Sequence, residues 1–403
     1  MKKVLMLGGS YFQVPSIKTA VALGFYTISC DYLPDNPGHK FAHEYHNVST
    51  TDKEAVLELA KKLKVDGIVC YASDPAAATA AYVCEKLGLP TSPYKSVEIL
   101  ANKDLFRAFL KDNGFNTPKA KGYSEISDAI KEISDFSFPV IIKPVDSSGS
   151  KGVTRLDDAS KLKEQIEYAL SFSRVKRFVI EEFVEKDGYQ IMGDGFSVNG
   201  ELVFRCFANN HFDVNSNNPF VPIGSSFPCT KPKEIQAKIH SEIQRLLTLL
   251  EMKTGAYNFE AFINKNGDVI LMEIGPRNGG DLIPQVIKYS TGIDMVEYTV
   301  KAAMEMDCSD LKHVEPHGYY SYYAVHSHNT GILKEVWIDY IFRRNNLIEF
   351  NMFFKPGDKI EAFTGSGANR TLGIIIMKFS SEQEMLEKMD NIQNWIKVIV
   401  DVI

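Results

Sequence analysis

Short apolar runs alternate with helical stretches over the first quarter of the chain. Residues 4–7, 26–30 and 67–71 have the pattern of buried strands, and helices are predicted over about residues 15–23, 52–63 and 76–87. Strands that alternate with helices predict a parallel sheet that is covered on both faces. We therefore expect residues 1–95 to form an open parallel α/β domain.

The pattern changes after residue 95 and predicts an α+β organisation for the rest of the chain. Residues 96–117 contain a linker helix, and residues 118–189 alternate short strands with one helix in a compact unit. Residues 190–403 are richer in strands and form a central unit with a C-terminal extension. The fold class predicted for the whole chain is thus α/β and α+β.

Composition narrows the choice of partners. The net charge of −6 argues against non-specific nucleic-acid binding, which needs a basic surface. No apolar run reaches the about 20 residues that span a bilayer, so no membrane segment is expected. The six cysteines are scattered without a C-x-x-C pair, which favours reduced thiols and a cytoplasmic location.

A Ser/Gly loop follows the predicted strand that ends near Lys143. Its glycines allow close approach of the backbone to a ligand, and Lys143 and Lys151 add positive charge. These features suit a triphosphate, although the loop lacks the Walker pattern and could be a generic turn. The candidate phosphate-binding residues in this loop are Ser147, Ser148, Gly149, Ser150 and Val153.

Two apolar runs, residues 257–263 and 268–274, flank an Asn266-Gly267 pair and predict a β-hairpin. A two-residue type I′ turn would place Lys265 opposite Asp268, and the same register places Glu260 opposite Glu273. Directly opposed like charges are destabilising, so this pair calls for a cation such as Mg²⁺. The alternatives are a solvent-facing acidic pair or a longer loop with a shifted register.

An arginine among glycines follows the second carboxylate, in the sequence Gly275-Pro276-Arg277-Asn278-Gly279-Gly280. A guanidinium at this place is suited to a transferring phosphoryl group. We therefore predict a catalytic role for Arg277, together with Lys143.

The ordered set of these motifs resembles the ATP-grasp superfamily. It is most similar to the carboxylate–amine ligase branch, which is related to biotin carboxylase, the carbamoyl-phosphate synthase large chain and L-amino-acid ligases. The resemblance covers about residues 1–310 and implies an ATP-grasp fold behind an N-terminal parallel domain. It is carried by Lys103, Lys143, the Ser/Gly loop, Glu181-Glu182-Phe183-Val184, Glu260 and Glu273-Ile274-Gly275-Pro276-Arg277.

The resemblance implies a role for each of these positions. Lys103 and Lys143 would contact ATP phosphates, and the loop over residues 147–153 would close over them as a lid. Glu260 and Glu273 would hold Mg²⁺, or Mn²⁺ in its place, and Arg277 would contact the γ-phosphate and an acyl phosphate. The adenine hinge would consist of Glu181, Glu182, Phe183 and Val184, with the Glu181 side chain and the backbone of Phe183 and Val184 contacting the base.

Two positions depart from the family pattern. Gly275 stands where the family has an Asn, so one side-chain metal ligand is missing. The residue that binds the ribose is ambiguous between Asp187 and Gln190.

The predicted activity is an ADP-forming ligation of a small carboxylate and an amine through an acyl phosphate. The alternatives are a carboxylating ATP-grasp enzyme that uses bicarbonate and a non-catalytic ATP-binding regulatory protein. A homodimer is an expectation at the level of the family. The candidate substrate-binding residues are His211, Asp213, Arg277, Asn278, Gly279, Gly280 and Arg370.

Overall fold

The N-terminal part of the chain forms a parallel sheet, as predicted. A computed structural model describes residues 1–367 and 370–402. The strands of the first sheet pair in the order β3-β2-β1-β4, and all three pairings are parallel. Its elements are β1 (Lys3–Leu7), α1 (Val14–Ala22), β2 (Tyr26–Cys30), β3 (Glu44–His46), α2 (Lys53–Leu63), β4 (Gly67–Cys70) and α3 (Asp74–Leu87).

The next part is a small antiparallel sheet with helices, in agreement with the predicted α+β unit. Two helices rather than one precede it, α4 (Tyr94–Ala101) and α5 (Lys103–Asp112). The sheet has the strand order β5-β8-β6-β7. Its elements are β5 (Ala120–Tyr123), α6 (Ile126–Glu132), β6 (Val140–Pro144), β7 (Thr154–Leu156), α7 (Leu162–Ser171) and β8 (Phe178–Glu182).

An eight-stranded sheet, ordered β13-β12-β9-β10-β11-β14-β18-β16, forms the centre of the molecule. Strands from the C-terminal extension complete this sheet, so the extension is integral to it. The strands are β9 (Ile191–Val198), β10 (Glu201–Phe212), β11 (Pro222–Phe227), β12 (Gly255–Ile263), β13 (Val269–Gly275), β14 (Tyr319–Val325), β16 (Leu347–Met352) and β18 (Gly373–Phe379).

Helices and a small peripheral sheet complete the described part of the chain. The peripheral sheet is ordered β17-β15-β19, and none of the described helices is long and apolar enough to cross a bilayer. The remaining elements are α8 (Lys233–Leu249), α9 (Ile283–Thr291), α10 (Met295–Ala303), β15 (Gly331–Ile338), α11 (Tyr340–Asn346), β17 (Lys359–Ile360), α12 (Glu382–Asp390) and β19 (Ile396–Val402).

Helix α10 joins the N-terminal sheet to the rest of the molecule. Its residues Val296 and Val300 share one hydrophobic core with Val4 and Met6 of β1. Gly67, at the start of β4, packs directly on the end of α10, because a Cβ atom built at Gly67 would lie 2.2 Å from the Ala303 carbonyl oxygen. This packing holds the N-terminal end of α3 in a fixed position relative to the central sheet.

A Gly67→Ala substitution tests this packing. We expect it to reduce the free energy of unfolding by about 1–3 kcal/mol, because the added methyl group meets backbone rather than a side chain that can move. Urea unfolding monitored by circular dichroism measures the change. Gly255→Ala is the matched control, since a Cβ atom at that strand position meets nothing within 4 Å. Equal stability of the two variants would contradict the packing described.

Candidate active site

The turn of the β12–β13 hairpin differs from the predicted one. Asn264 N donates to Asp268 O over 3.0 Å, and Gly267 N donates to Asn264 O over 3.0 Å. The loop therefore has three residues, 265–267, and Gly267 takes the left-handed conformation with φ +83° that such loops require. The prediction of a two-residue type I′ turn, with Lys265 opposite Asp268, was wrong.

A β-bulge restores the register at the carboxylates. Ala261 pairs with Leu271, whereas Glu260 pairs with Glu273, so Met272 is an extra residue on β13. The predicted opposition of Glu260 and Glu273 is confirmed, but only because the longer loop and the bulge offset one another. Arg107 contacts the backbone next to the bulge, since its Nη1 donates to Leu271 O over 2.8 Å.

The two carboxylates form an electrostatically unfavourable pair that suits a divalent cation. Burial and the charge of Glu273 raise the pKa of Glu260 to about 7. Lys103 Nζ lies 3.1 Å from Glu273 Oε2, and Gln190 Nε2 donates to Glu260 Oε2 over 3.1 Å. These contacts only partly compensate the repulsion, so the hard oxygen donors fit a metal ion such as Mg²⁺.

Glu181 is a buried counter-ion to two cations. One of its carboxylate oxygens pairs with Lys143 Nζ, and the other accepts from Arg107 Nε over 2.9 Å. Although burial by itself raises the pKa of Glu181, the charges of Arg107 and Lys143 outweigh it and lower that pKa to about 2. Each carboxylate oxygen can accept more than one hydrogen bond, so the predicted contact between this side chain and the adenine edge stays a prediction.

Some polar groups in the rest of the predicted hinge also have hydrogen-bond partners within the protein. Phe183 N donates to Pro139 O over 2.9 Å, and Glu182 accepts a hydrogen bond from Ser137 N over 2.8 Å through its side chain. Phe183 and Val184 both line the cavity described below. The Phe183 N–H group is thus unsuited to contact a base, and the predicted roles of its carbonyl group and of Val184 stay predictions.

The Ser/Gly loop lies closed over the site. Ser147 O accepts a hydrogen bond from Lys103 Nζ over 2.9 Å, and Ser366 N donates to Gly149 O over 2.9 Å. Asn218 Nδ2 donates both to Ser150 O and to Thr364 O, over 3.0 and 3.1 Å. Asn218 therefore ties the loop to the C-terminal extension.

Arg277 is held by an aspartate from the N-terminal domain. Its Nε and Nη2 atoms lie 2.7 and 2.5 Å from Asp74 Oδ1. Sequence reasoning missed Asp74, although its position offered a signal. It begins α3 just after the parallel strand β4, and ligands of open α/β sheets bind beyond the carboxyl ends of such strands.

The Gly-rich segment after Arg277 is held by a hydrogen bond to Asp194. Gly279 N donates to Asp194 Oδ2 over 2.8 Å, and Asn258 Nδ2 donates to its other oxygen over 2.9 Å. Asn278 is fully buried and accepts a hydrogen bond from Thr299 Oγ1 over 2.6 Å. Gly280 lines the cavity. Asn278 and Gly279 contact protein groups behind its wall, and their predicted substrate roles stay predictions.

Four predicted site residues lie outside the cavity described below, and they are His211, Asp213, Asp187 and Arg370. His211 is buried between Asp390 and Ser226, at 2.8 and 2.9 Å. Asp213 pairs with two histidines, Asp187 is exposed, and Arg370 lies beside Glu361. None of the four is among the described residues that line the cavity, so the cavity gives no support to their predicted roles, which stay predictions. Of the two candidates for the ribose, Gln190 is the one that lines the cavity.

The site is a single cavity of about 510 Å³ between the central sheet, the small antiparallel sheet and the N-terminal domain. It contains both carboxylates of the hairpin and the cationic groups that face them. The predicted residues in its wall are Lys103, Lys143, Ser147, Ser148, Gly149, Ser150, Val153, Glu181, Glu182, Phe183, Val184, Gln190, Glu260, Glu273, Arg277 and Gly280.

Comparison with known proteins agrees with this arrangement. Residues 136–285 match the family model of the ATP-grasp domain. A formate-dependent phosphoribosylglycinamide formyltransferase of Burkholderia mallei is 30% identical over 295 residues, which cover 68% of this chain and 69% of the relative. The chain belongs to the ATP-grasp family. The comparisons also support the predicted class of ATP-dependent ligases.

Two further matches define the extent of the likeness. The crystal structure of an L-amino acid ligase from Bacillus licheniformis superposes with a TM-score of 0.82 at 22% identity, over 100% of this chain and 99% of that chain. The uncharacterized protein y4rH of Sinorhizobium fredii is 26% identical over 66% of this chain, but the match covers only 55% of y4rH. The chain thus spans little more than half of that relative. The superposition with the Bacillus licheniformis structure, by contrast, extends over all of this chain.

Asp194 gives the site a measurable pH dependence. Burial raises its pKa to about 6, so between about pH 4 and pH 6 the folded protein keeps a proton that the unfolded chain has lost. Stability must therefore fall as the pH rises through this window. We expect the unfolding free energy of the wild type, relative to Asp194→Asn, to fall by about 2 kcal/mol between pH 4 and pH 7.

Denaturant unfolding at several pH values measures this difference. Asp187→Asn is the control, because that side chain is 70% exposed and its removal should leave the pH profile unchanged. A difference between wild type and Asp194→Asn that does not vary with pH would contradict the raised pKa, because it would show that Asp194 has the same pKa in the folded and the unfolded protein.

Proposed function

We propose that this protein is an ADP-forming ligase that phosphorylates a small carboxylate with ATP and couples the product to an amine. The observation that carries the proposal is the pair Glu260 and Glu273, opposed across the hairpin in one cavity with Lys103, Lys143 and Arg277. Two partly buried carboxylates beside three cationic groups suit a metal-bound polyphosphate.

The nucleotide would lie between the small antiparallel sheet and the hairpin. Ile141 and Met272 line the cavity there and offer apolar faces to the base, next to Val184 of the hinge. The phosphates would lie under the closed Ser/Gly loop, within reach of Lys143 and Lys103. Lys143 is held by Glu181, so its ammonium group is already placed before a phosphate binds.

Glu260 and Glu273 fit a divalent cation, because ionised carboxylates supply the hard oxygen ligands that Mg²⁺ prefers. When bound, Mg²⁺ shared with the nucleotide neutralises charge on the phosphates. With Gly275 in place of the family's Asn, this segment offers no third side-chain ligand. We expect water or phosphate oxygens to complete the coordination.

Arg277 is the group best placed to act on the transferred phosphoryl group. The substrate carboxylate attacks the γ-phosphorus of ATP and ADP leaves; an amine then attacks the acyl carbon and phosphate leaves. A guanidinium stabilises the charge on the phosphoryl oxygens in the first step and on the departing phosphate in the second. The closed loop over residues 147–153 would keep water from the acyl phosphate.

The remaining cavity wall favours an amine without a phosphate group. Asp281 lines it together with the apolar or aromatic side chains of Phe12, Ile283 and Tyr322. This combination suits an ammonium group and an apolar body, as in an amino acid. The cationic side chains among the described residues of the wall are Lys103, Lys143, Lys151, Lys186 and Arg277. Each of them is either assigned above to ATP or lies close to the lid or the hinge.

This inference separates the chain from some of its relatives. The Burkholderia mallei relative is named for a reaction of phosphoribosylglycinamide, whose phosphate needs a basic pocket of its own. The Bacillus licheniformis structure is named an L-amino acid ligase. The cavity supports a substrate of the second kind.

ADP release tests the proposed function. The protein is incubated with ATP and Mg²⁺ and with pools of amino acids, other small carboxylates and phosphorylated amines. We expect amino-acid pools to stimulate ADP formation. Glu273→Gln and Arg277→Met should each lower the stimulated rate at least about 100-fold, because each removes charge stabilisation from the phosphoryl group.

Lys265→Gln is the control for these variants. Lys265 belongs to the same hairpin but is exposed and pairs with Glu185, so its loss should leave the rate unchanged. Stimulation by bicarbonate alone would identify a carboxylating enzyme instead. Nucleotide binding without stimulation by any pool would identify a regulatory protein, and stimulation only by phosphorylated amines would refute the substrate class.

A further inference from the structure

A second group of metal-ligand side chains lies outside the active-site cavity. Asp213 directly follows β10, whereas His326 and His328 follow β14, two strands away in the same sheet. The Nε2 atoms of His328 and His326 lie 2.6 and 3.4 Å from Asp213 Oδ2. Gln393, near the C-terminus, approaches the same oxygen with its amide group.

When the His326 ring is neutral, its Nε2 atom carries no hydrogen to donate to Asp213. His326 Nδ1 lies 2.8 Å from Ala324 O, which can only accept, so Nδ1 carries the hydrogen. The Nε2 atom of a neutral ring then directs a lone pair at a carboxylate oxygen. This arrangement is repulsive unless the ring is protonated or a metal ion lies between the two atoms. A hydrogen bond from Nδ1 to a carbonyl oxygen is also how proteins orient histidines that bind metals through Nε2.

The distance between His326 and Asp213 and the burial of both side chains fit a tetrahedral metal ion. Ligand atoms about 2.0–2.1 Å from a tetrahedral Zn²⁺ ion are about 3.3 Å apart, close to the 3.4 Å that separates His326 Nε2 from Asp213 Oδ2. The shorter contact of His328 can widen by a small rotation, because that side chain is 37% exposed. The side chains of Asp213 and His326 are only 2% and 1% exposed and form a rigid base.

We infer that Asp213, His326 and His328 bind a Zn²⁺-type transition-metal ion. Two imidazoles and one carboxylate favour such an ion over Mg²⁺, which prefers oxygen ligands. Water can supply the fourth ligand. The site is separate from the carboxylate pair of the hairpin.

The position of this site in the fold indicates a structural role. The loop that begins at Asp213 continues to Asn218, which holds the Ser/Gly loop through Ser150 O. Asn217 Nδ2 donates to His328 O over 2.9 Å, so the two sides of the cluster are already joined. A bound ion would fix this loop to the end of β14 and so keep Asn218 in place.

Metal binding by the full chain tests the inference. After removal of metals with a chelator, the protein is titrated with Co²⁺ in the absence of nucleotide, and the visible absorption is recorded. We expect one equivalent of Co²⁺ with the intense bands of a tetrahedral site, and stabilisation against heat by Zn²⁺. Asp213→Asn and His328→Ala should each weaken binding at least about 10-fold.

His313→Ala is the matched control, because His313 is also partly exposed, at 32%, and also pairs with a carboxylate, that of Glu315. It should bind Co²⁺ as the wild type does. His328→Ala is expected to fold, since its side chain is half-exposed; Co²⁺ binding by this variant as tight as by the wild type would overturn the inference. So would the absence of Co²⁺ binding by the wild type, or its loss in Glu260→Gln while His328→Ala retains it.

Discussion

Repulsion between Glu260 and Glu273 is the constraint on which the rest of the site depends. The two carboxylates face each other in a buried cavity, and burial together with this repulsion raises the pKa of Glu260 to about 7. Such a pair persists only where cations and hydrogen-bond donors surround it. Lys103 and Gln190 provide part of this compensation within the chain, and a metal ion with its polyphosphate would provide the remainder.

The compensating groups come from several different parts of the fold. Lys103 begins the linker helix α5, Lys143 ends a strand of the small sheet, and Arg277 follows the hairpin. Each cation also has an anionic partner: Lys103 pairs with Glu273, Lys143 with Glu181, and Arg277 with Asp74. The N-terminal domain thus contributes Asp74 to the site directly, and its packing on α10 sets the position of that carboxylate. The parts of the molecule are coupled through charge as well as through their apolar cores.

The elements and the order of the motifs could be predicted from the sequence, because apolar periodicity and turn residues are local signals. The parallel sheet and the small α+β unit follow from such signals. The bulge at Met272 could not be predicted, since it depends on Arg107, a residue distant in sequence that donates to Leu271 O. The correct register was reached although the turn type was wrong.

The contacts of the predicted site residues that the sequence did not reveal have a common physical cause. Glu181, His211 and Asp213 have partners that come from other elements and are invisible in a local pattern. Glu181 pairs with two cations, His211 contacts Asp390, and Asp213 faces two histidines. Asp74 carries one local signal, its place just after a parallel strand, but its pairing with Arg277 arises only when α3 meets the segment after the hairpin.

The most direct test of the account is the affinity for Mn²⁺ in the presence of ADP, measured by electron paramagnetic resonance. It is compared among the wild type, Glu260→Gln, Glu273→Gln and the double variant. If both carboxylates bind one ion with the nucleotide, each single substitution weakens Mn²⁺ binding at least about 10-fold, and the two effects are not additive. Mn²⁺ affinity that is unchanged in both single variants would contradict the account.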